Sequence, residues 1–385
     1  MTRNVAVVGI GQTPFTRACG ISIRELAFDA YKEALEDAGN LATKEIDASI
    51  ICSAPEYDKQ RSPSGLIAEY LGLNPQPTFF TEAVCASGTV GLRSAWALIS
   101  SGLHEVVAVI GFQKMSELTS AESQERMLRG GDILWESPFG PTMPSYYAMF
   151  AQAHINKYGT TEEQLAMVRK KSSKYGAANP KAMFQKEVTL EQVLTSKVIS
   201  SPLKLFDCCS NADGASCTIL ASEEVARKIN DTPIWITGLG LASAPMALTG
   251  RDTYTSLTCA RDAAHQAYKM AKIEPKEVDV AQVHDCFTVA EILAYEDLDF
   301  CARGEGGKLV QNGETYVGGK IPVNTDGGLL SKGHPIGATG GSHVRTIVRQ
   351  LRGEAGSAQV SNAEIGLVHN IGGVGIYGSV LILRS

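Results

Sequence analysis

The chain lacks a surplus of positive charge. Across 385 residues, 35 Lys and Arg face 41 Asp and Glu, a formal charge of −6 at pH 7. No polybasic field therefore directs it to nucleic acid or to an anionic membrane. It also lacks a cysteine framework: nine cysteines are an odd number without regular spacing. That pattern belongs to reduced thiols in a cytoplasmic protein, not to a disulfide-stapled secreted one. Long apolar runs that could act as an address or an anchor are missing too. Val5–Ile10 follows a single Arg and is too short for a signal segment. The longest uncharged stretch, Ile365–Leu383, has membrane length, but its five glycines with His369 and Asn370 read as strand–turn–strand. Gly9-x-Gly11-x-x-Pro14 is without the third glycine of a dinucleotide fingerprint, and there is no P-loop. Cys208-Cys209 with Cys217, or His284-x-Cys286, has neither the spacing nor the number of zinc ligands, so no metal is expected.

What is present is apolar periodicity, with 44% hydrophobic residues in a chain long enough for two or three domains. Strand-like runs at Asn4–Gly11, Asp47–Ala54, Thr78–Ala83 and Glu105–Phe112 alternate with helical patterns. Ser22 and Glu25 form a capping box before the stripe Ile23, Leu26, Ala27, Ala30, Tyr31 and Ala34. Further helices are expected at Ser64–Leu71 and from Cys85 to about Ser101. Near-continuous apolar strands between helices predict an α/β fold with a buried, largely parallel sheet.

The order then repeats. Gly9-Ile10-Gly11 returns as Gly238-Leu239-Gly240, Asp29-Ala30 as Asp262-Ala263, and Asp47 as Asp279, at offsets of 229, 233 and 232. Cys85, followed by Gly88 and Gly91, is matched by His334, followed by Gly337 and Gly340. This is a duplicated unit. Gln113–Ser200 matches neither copy and reads as an insertion over one face of the core. The expected division is 1–112 with 201–228 for the first half, 113–200 for the inserted domain and 229–385 for the second half.

Cys85 lies where a strand gives way to a helix, so unpaired N–H groups and the helix dipole favour its thiolate. The ordinary alternative is a buried structural cysteine. At the matching place in the second half, His334 is disfavoured as imidazolium and is expected to stay neutral and basic. Should a pseudo-twofold axis bring the two helix starts together, a thiol would sit beside a base, as nucleophilic catalysis by cysteine requires. His284-Asp285-Cys286-Phe287 is expected at a strand end, with His284 and Cys286 facing the same side. In His369-Asn370-Ile371-Gly372-Gly373, backbone N–H groups could face an oxyanion. Arg169, Lys170, Lys171, Lys174, Lys181 and Lys186 are either a solvated helix face or contacts to a ligand's phosphates.

Together these residues resemble the thiolase superfamily over essentially the whole chain. The marks are Cys85-Ala86-Ser87, His284-Asp285-Cys286-Phe287, Asn324-Thr325-Asp326-Gly327-Gly328 and Gly333–Gly340. The His-Asp-Cys-Phe form is similar to the sterol-carrier-type thiolases and the archaeal and bacterial acetyl-CoA acetyltransferases. No sterol-carrier domain is expected after Ser385. The resemblance implies a thiolase fold, two βαβαβαββ halves in five αβαβα layers with an inserted loop domain. It implies Cys85 as nucleophile, activated by His334, and Cys286 as acid/base in place of the usual Cys-x-Gly cysteine, where Asn370 stands. It further implies His284 and His334 at the enolate oxygen, and N–H groups at Cys85 and near Gly372 for the tetrahedral intermediate. The reaction implied is Claisen condensation of two acyl-CoA molecules, or CoA-dependent thiolysis of a 3-ketoacyl-CoA, with coenzyme A as substrate or product and no tightly bound cofactor. Phosphate contacts from Arg169, Lys170, Lys171 and Lys174 would fit that substrate. Alternatives are a bulkier branched or aromatic 3-ketoacyl-CoA, a ketoacyl or hydroxymethylglutaryl-CoA synthase, and a non-catalytic acyl-CoA-binding subunit. A homodimer or dimer of dimers, and a zinc-ribbon/OB-fold partner subunit, are what relatives of this kind imply.

Overall fold

Apart from one edge strand, the strands of the central sheet are largely buried on both faces, and alternation decides what each face meets. The computed structural model describes residues 3–230 and 232–385. In chain order come β1 (Val5–Gln12), α1 (Ile23–Asp37), β2 (Ala48–Cys52), α2 (Pro63–Tyr70), β3 (Thr78–Thr81), α3 (Ser87–Ser100) and β4 (Val106–Lys114). A long excursion carries α4 (Met143–Tyr158) and α5 (Glu162–Ala177), and β5 (Asp213–Ser222) returns to the sheet. Then follow β6 (Ile234–Ser243), α6 (Thr258–Ala271), β7 (Val280–Gln282), α7 (Thr288–Asp297), α8 (Thr339–Leu351), β8 (Ile365–Gly372) and β9 (Tyr377–Arg384).

Val5 and Val7 of β1, like Val107 and Val109 of β4, enter an apolar cluster with Leu92, Ile99, Val344 and Ile347. Their neighbours Ala6, Val8, Ala108 and Ile110 enter another with Leu26, Ala30 and Ala34. The period of two thus sorts one strand between two helical layers. α3 and α8 fill the middle, α1 and α2 cover one outside face, and α6 covers the other. The result is the expected αβαβα stack.

The nine strands form one sheet in the order β3-β2-β4-β5-β1-β6-β9-β8-β7. Read from its two ends, β2-β4-β5-β1 mirrors β7-β8-β9-β6, and β3 alone has no counterpart. The paired motifs do paired work. A Cβ on Gly9 or Gly11 would lie 2.3 or 2.0 Å from the carbonyl oxygens of Ala34 and Ala30, and one on Gly238 or Gly240 would lie 2.5 or 1.7 Å from those of Ala267 and Ala263. Only glycine permits that approach of strand to helix. Asp47 accepts the N–H groups of Glu105 and Val106, and Asp279 those of Glu364 and Ile365, all at 2.9 Å.

The sheet is not largely parallel, and that expectation is corrected. Only β2–β3, β2–β4 and β7–β8 run parallel, and every other neighbouring pair is antiparallel. Burial on both faces made the strands uniformly apolar, and burial says nothing of direction. The uncharged Ile365–Leu383 stretch is the β8–β9 hairpin, and no helix among the described residues is long and apolar enough to cross a membrane. The excursion packs onto the second half: His154 reaches Glu296 at 3.1 Å, Gln164 reaches Gln311 at 2.8 Å, and Ser172 donates to the Gly327 carbonyl.

Candidate active site

The turn that holds Cys85 is strained. Between β3 and α3 the chain makes one tight turn, Val84–Ala86, with Val84 at φ +51°, a region that β-branched residues rarely occupy. Ser87 clamps it: the hydroxyl accepts the Ala83 N–H at 2.9 Å and donates to the Val84 carbonyl at 2.6 Å. Glu82 accepts the Val84 N–H at 2.7 Å. Cys85 is left half-buried, with the backbone N–H of Gly373 facing its sulfur.

In the second half, His334 precedes Pro335 and a matching turn, Ile336–Ala338, which leads into α8. α3 and α8 meet where glycine allows contact, a Cβ on Gly340 falling 2.5 Å from the Thr89 nitrogen. The two helix starts therefore converge. The Cys85 sulfur and one ring nitrogen each of His284 and His334 lie within 4.8 Å of one another.

Hydrogen bonding sets the two imidazoles in opposite tautomers. His334 Nδ1 lies 2.7 Å from the Thr339 hydroxyl, which donates its own proton to the Pro335 carbonyl at 3.1 Å. With the Thr339 proton assigned to that carbonyl, Nδ1 carries the hydrogen and Nε2 is left as a lone pair; that nitrogen is buried and unpartnered. His284 Nδ1 accepts from the Asn370 amide nitrogen at 2.8 Å, so its Nε2 carries the hydrogen. One ring can take a proton, and the other can donate a hydrogen bond. Burial pushes His334 down to about 3 and His284 well below the usual histidine range, so both are neutral. These three groups are the one His/Cys/carboxylate cluster with metal-like spacing among the described residues. With only one lone pair aimed at the thiol, the set handles protons better than it coordinates an ion.

Three expectations change. Burial pushes the Cys85 thiol up to about 12, outweighing the Gly373 N–H, so the site holds a thiol and not a ready thiolate. The donor facing the sulfur belongs to Gly373, whereas Gly372 serves close approach, since its Cβ would fall 2.3 Å from the Ala83 carbonyl. The third concerns the basic cluster. Arg169 is buried, donating to the Leu330 carbonyl and to Ser331. Lys171 is buried against Glu291, Tyr295 and the Val323 carbonyl. Neither can reach a phosphate in solvent, and neither sits on a solvated face. Lys181 pairs with Glu33, while Lys170, Lys174 and Lys186 are exposed.

His284 and Cys286 lie beyond β7, which ends at Gln282, yet their alternation survives. His284 turns to Asn370, Asp285 turns away to the Leu329 and Leu330 N–H groups, and Cys286 turns to the Tyr147 hydroxyl. Burial pushes the Cys286 thiol well up as well. Tyr147, Thr339, Ser87 and Gly373 were not singled out as site residues by sequence. Ser87, Thr339 and Gly373 lie within segments the sequence marks, Cys85-Ala86-Ser87, Gly333–Gly340 and His369–Gly373, whereas Tyr147 lies in none of them.

Family models for "Thiolase, N-terminal domain" and "Thiolase C-terminal domain-like" match residues 5–224 and 240–385. The chain is 43% identical over 375 residues to the acetyl-CoA acetyltransferase of Methanothermobacter thermautotrophicus, covering 97% of each. It is 35% identical to sterol carrier protein 2 of Bos taurus, covering 99% of this chain and 72% of that protein. Among solved structures, the Ltp2-ChsH2(DUF35) aldolase superposes with a TM-score of 0.86 at 28% identity, over 99% of this chain and 98% of that one.

Proposed function

Because the chain belongs to the thiolase family and is an acyltransferase, we propose that it joins two molecules of acetyl-CoA into acetoacetyl-CoA, or runs that reaction backwards, through an acyl-enzyme on Cys85. The observation that carries the reading is the thiol flanked by two neutral imidazoles in opposite tautomers.

In the first half-reaction His334 Nε2 takes the Cys85 proton as the sulfur attacks the thioester carbon. General-base removal suits a thiol that burial keeps protonated at rest. The N–H groups of Cys85 and Gly373 receive the tetrahedral oxygen. Cys286 gives its proton to the departing CoA sulfur and is left as thiolate. In the second half-reaction that thiolate removes a proton from the methyl group of the incoming acetyl-CoA, and the His284 Nε2–H donates to the enolate oxygen. The carbon–carbon bond forms, and Cys85 departs and recovers its proton from His334. Protons balance without any further group.

Asn370 acts in this scheme by orienting His284. The exposed Lys170 and Lys174 remain as candidates for CoA phosphates. The sheet's mirror order supports a division into 1–112 with 201–228, 113–200 and 229–385. Edge strand β3, with Phe79 and Phe80 42% and 39% exposed, favours pairing with a second copy into a homodimer. Trp135 and Phe139, exposed on the excursion, suit a partner subunit such as the DUF35 protein in the aldolase complex above. Nine unpaired cysteines fit the cytoplasm.

The test is Cys85→Ala with radiolabelled acetyl-CoA. A folded variant should take no covalent label, and wild-type labelling would remove Cys85 from its role.

A further inference from the structure

We propose that Tyr147, carried by the excursion helix α4, is a positioning residue of this reaction whose hydroxyl donates a hydrogen bond to the Cys286 thiolate between the two half-reactions. The inference rests on the role given to Cys286 above and extends it to a side chain outside both duplicated halves.

Tyr147 is 1% exposed, and its ring is fixed. It stacks on Phe287 with centroids 4.5 Å apart and planes at 25°, and Phe150 meets it edge-on at 5.6 Å. The hydroxyl sits 3.4 Å from the Gly373 carbonyl, a long bond for an O–H donor. The ring stacks on the residue that directly follows Cys286, and the Cys286 thiol is the side-chain partner beside the hydroxyl. A fully buried hydroxyl with one weak acceptor and a thiol beside it holds its donor in reserve.

Cys286 needs that donor. Once its proton has left with CoA, a negative sulfur stands in a buried site until the α-proton arrives. The titratable groups around it are Cys85, Cys209, Asp285 and Tyr147. The first three are neutral or negative and do not stabilise an anion, and the imidazolium that the scheme leaves on His334 stands beside Cys85, its Nε2 making no hydrogen bond to this sulfur. Besides the Phe287 backbone N–H, Tyr147 supplies the side-chain hydrogen bond that favours the charged sulfur. Burial holds the phenol well above its ordinary range, so it keeps its proton and serves only as donor. A rotation of the hydroxyl from the Gly373 carbonyl to the sulfur makes the bond without moving the ring.

The experiment compares Tyr147→Phe, Cys286→Ala and a chain carrying 3,5-difluorotyrosine at position 147. Two steps are read: the burst of Cys85 acylation by an acetyl thioester of a strongly acidic thiol, whose departure needs no proton from Cys286, and exchange of acetyl-CoA methyl protons with solvent deuterium across pH. Tyr147→Phe keeps the stack on Phe287, so its burst should stay within about threefold of wild type. Its exchange should fall about 10- to 100-fold, with the rising limb of the pH profile moved up by roughly one to two units, the worth of a hydrogen bond to a charged group. Difluorotyrosine, a stronger donor, should move that limb down. Wild-type exchange with an unmoved limb in Tyr147→Phe overturns the proposal, as does equal loss of acylation and exchange. If Tyr147→Phe does not fold, the fluorinated chain decides, and an unmoved limb there overturns it. Cys286→Ala separates the two readings. Exchange surviving in Cys286→Ala removes the thiolate itself, whereas exchange lost there but kept in Tyr147→Phe removes only Tyr147.

Discussion

Thr339→Val removes one oxygen atom and should disable a base it does not touch in substrate space. In the native site the Thr339 hydroxyl, 2.7 Å from His334 Nδ1, is the acceptor that places the ring hydrogen on that nitrogen. Valine has the same shape and no acceptor. The productive tautomer then buries an unsatisfied N–H, at a cost of about 1–3 kcal/mol. With tenfold for each 1.4 kcal/mol, the fraction of rings offering an Nε2 lone pair to Cys85 falls roughly 5- to 150-fold. Because His334 removes the Cys85 proton, acylation should fall by the same factor. Rapid-mixing measurement of the acylation burst with acetyl-CoA reads this directly, and thermal melting checks the fold. Thr339→Ser keeps the hydroxyl and should restore most of the rate. Acylation within twofold of wild type in a folded Thr339→Val enzyme would refute the tautomer argument.

Lys171→Met should destabilise the protein by about 3–5 kcal/mol, because Glu291 stays buried without its cation; adding Glu291→Leu should recover much of it, as urea melts would show. His369 is buried and pushed down to about 3, against about 6.5 in the unfolded chain, so below pH 6.5 the unfolded state binds a proton that the native state refuses. Stability is therefore lost as pH falls from 6.5 towards 3, and at pH 5 His369→Gln should have lost about 2 kcal/mol less than wild type, read from denaturant midpoints. Neutralising Lys170 and Lys174 together should raise KM for acetyl-CoA with little change in kcat, more at low salt than at high; an unchanged KM at low salt leaves them as solvated surface.

The parts legible in sequence were those where geometry admits one residue type. Gly9, Gly11, Gly238 and Gly240 stand where a methyl group would collide with a helix carbonyl, so the duplication stayed visible in them. Cys85 and His334 were readable because each stands at a turn that leads into a helix and is followed by glycines at the same spacing, Gly88 and Gly91 in one half and Gly337 and Gly340 in the other. Strand direction was not readable, since a residue buried on both sides of a sheet looks the same whichever way the chain runs. The side-chain charges of Arg169 and Lys171 suggested solvent, because nothing local reveals that Glu291, 120 positions on, waits opposite Lys171, or that the Leu330 carbonyl receives Arg169. Tyr147 and Gly373 meet across 226 residues and through the excursion, whose path no periodicity encodes.

The mirror order of the strands bears on how such chemistry could arise. Nucleophile and base occupy symmetry-equivalent helix starts, Cys85 in one half and His334 in the other. A dimer of identical single halves must carry the same residue at both places, giving two thiols or two imidazoles and never one of each. Division of labour across this axis is therefore open only to a chain in which the two copies are encoded separately. Separate encoding of the two halves, here within one chain, is what lets a pair of matched positions hold two chemistries at once.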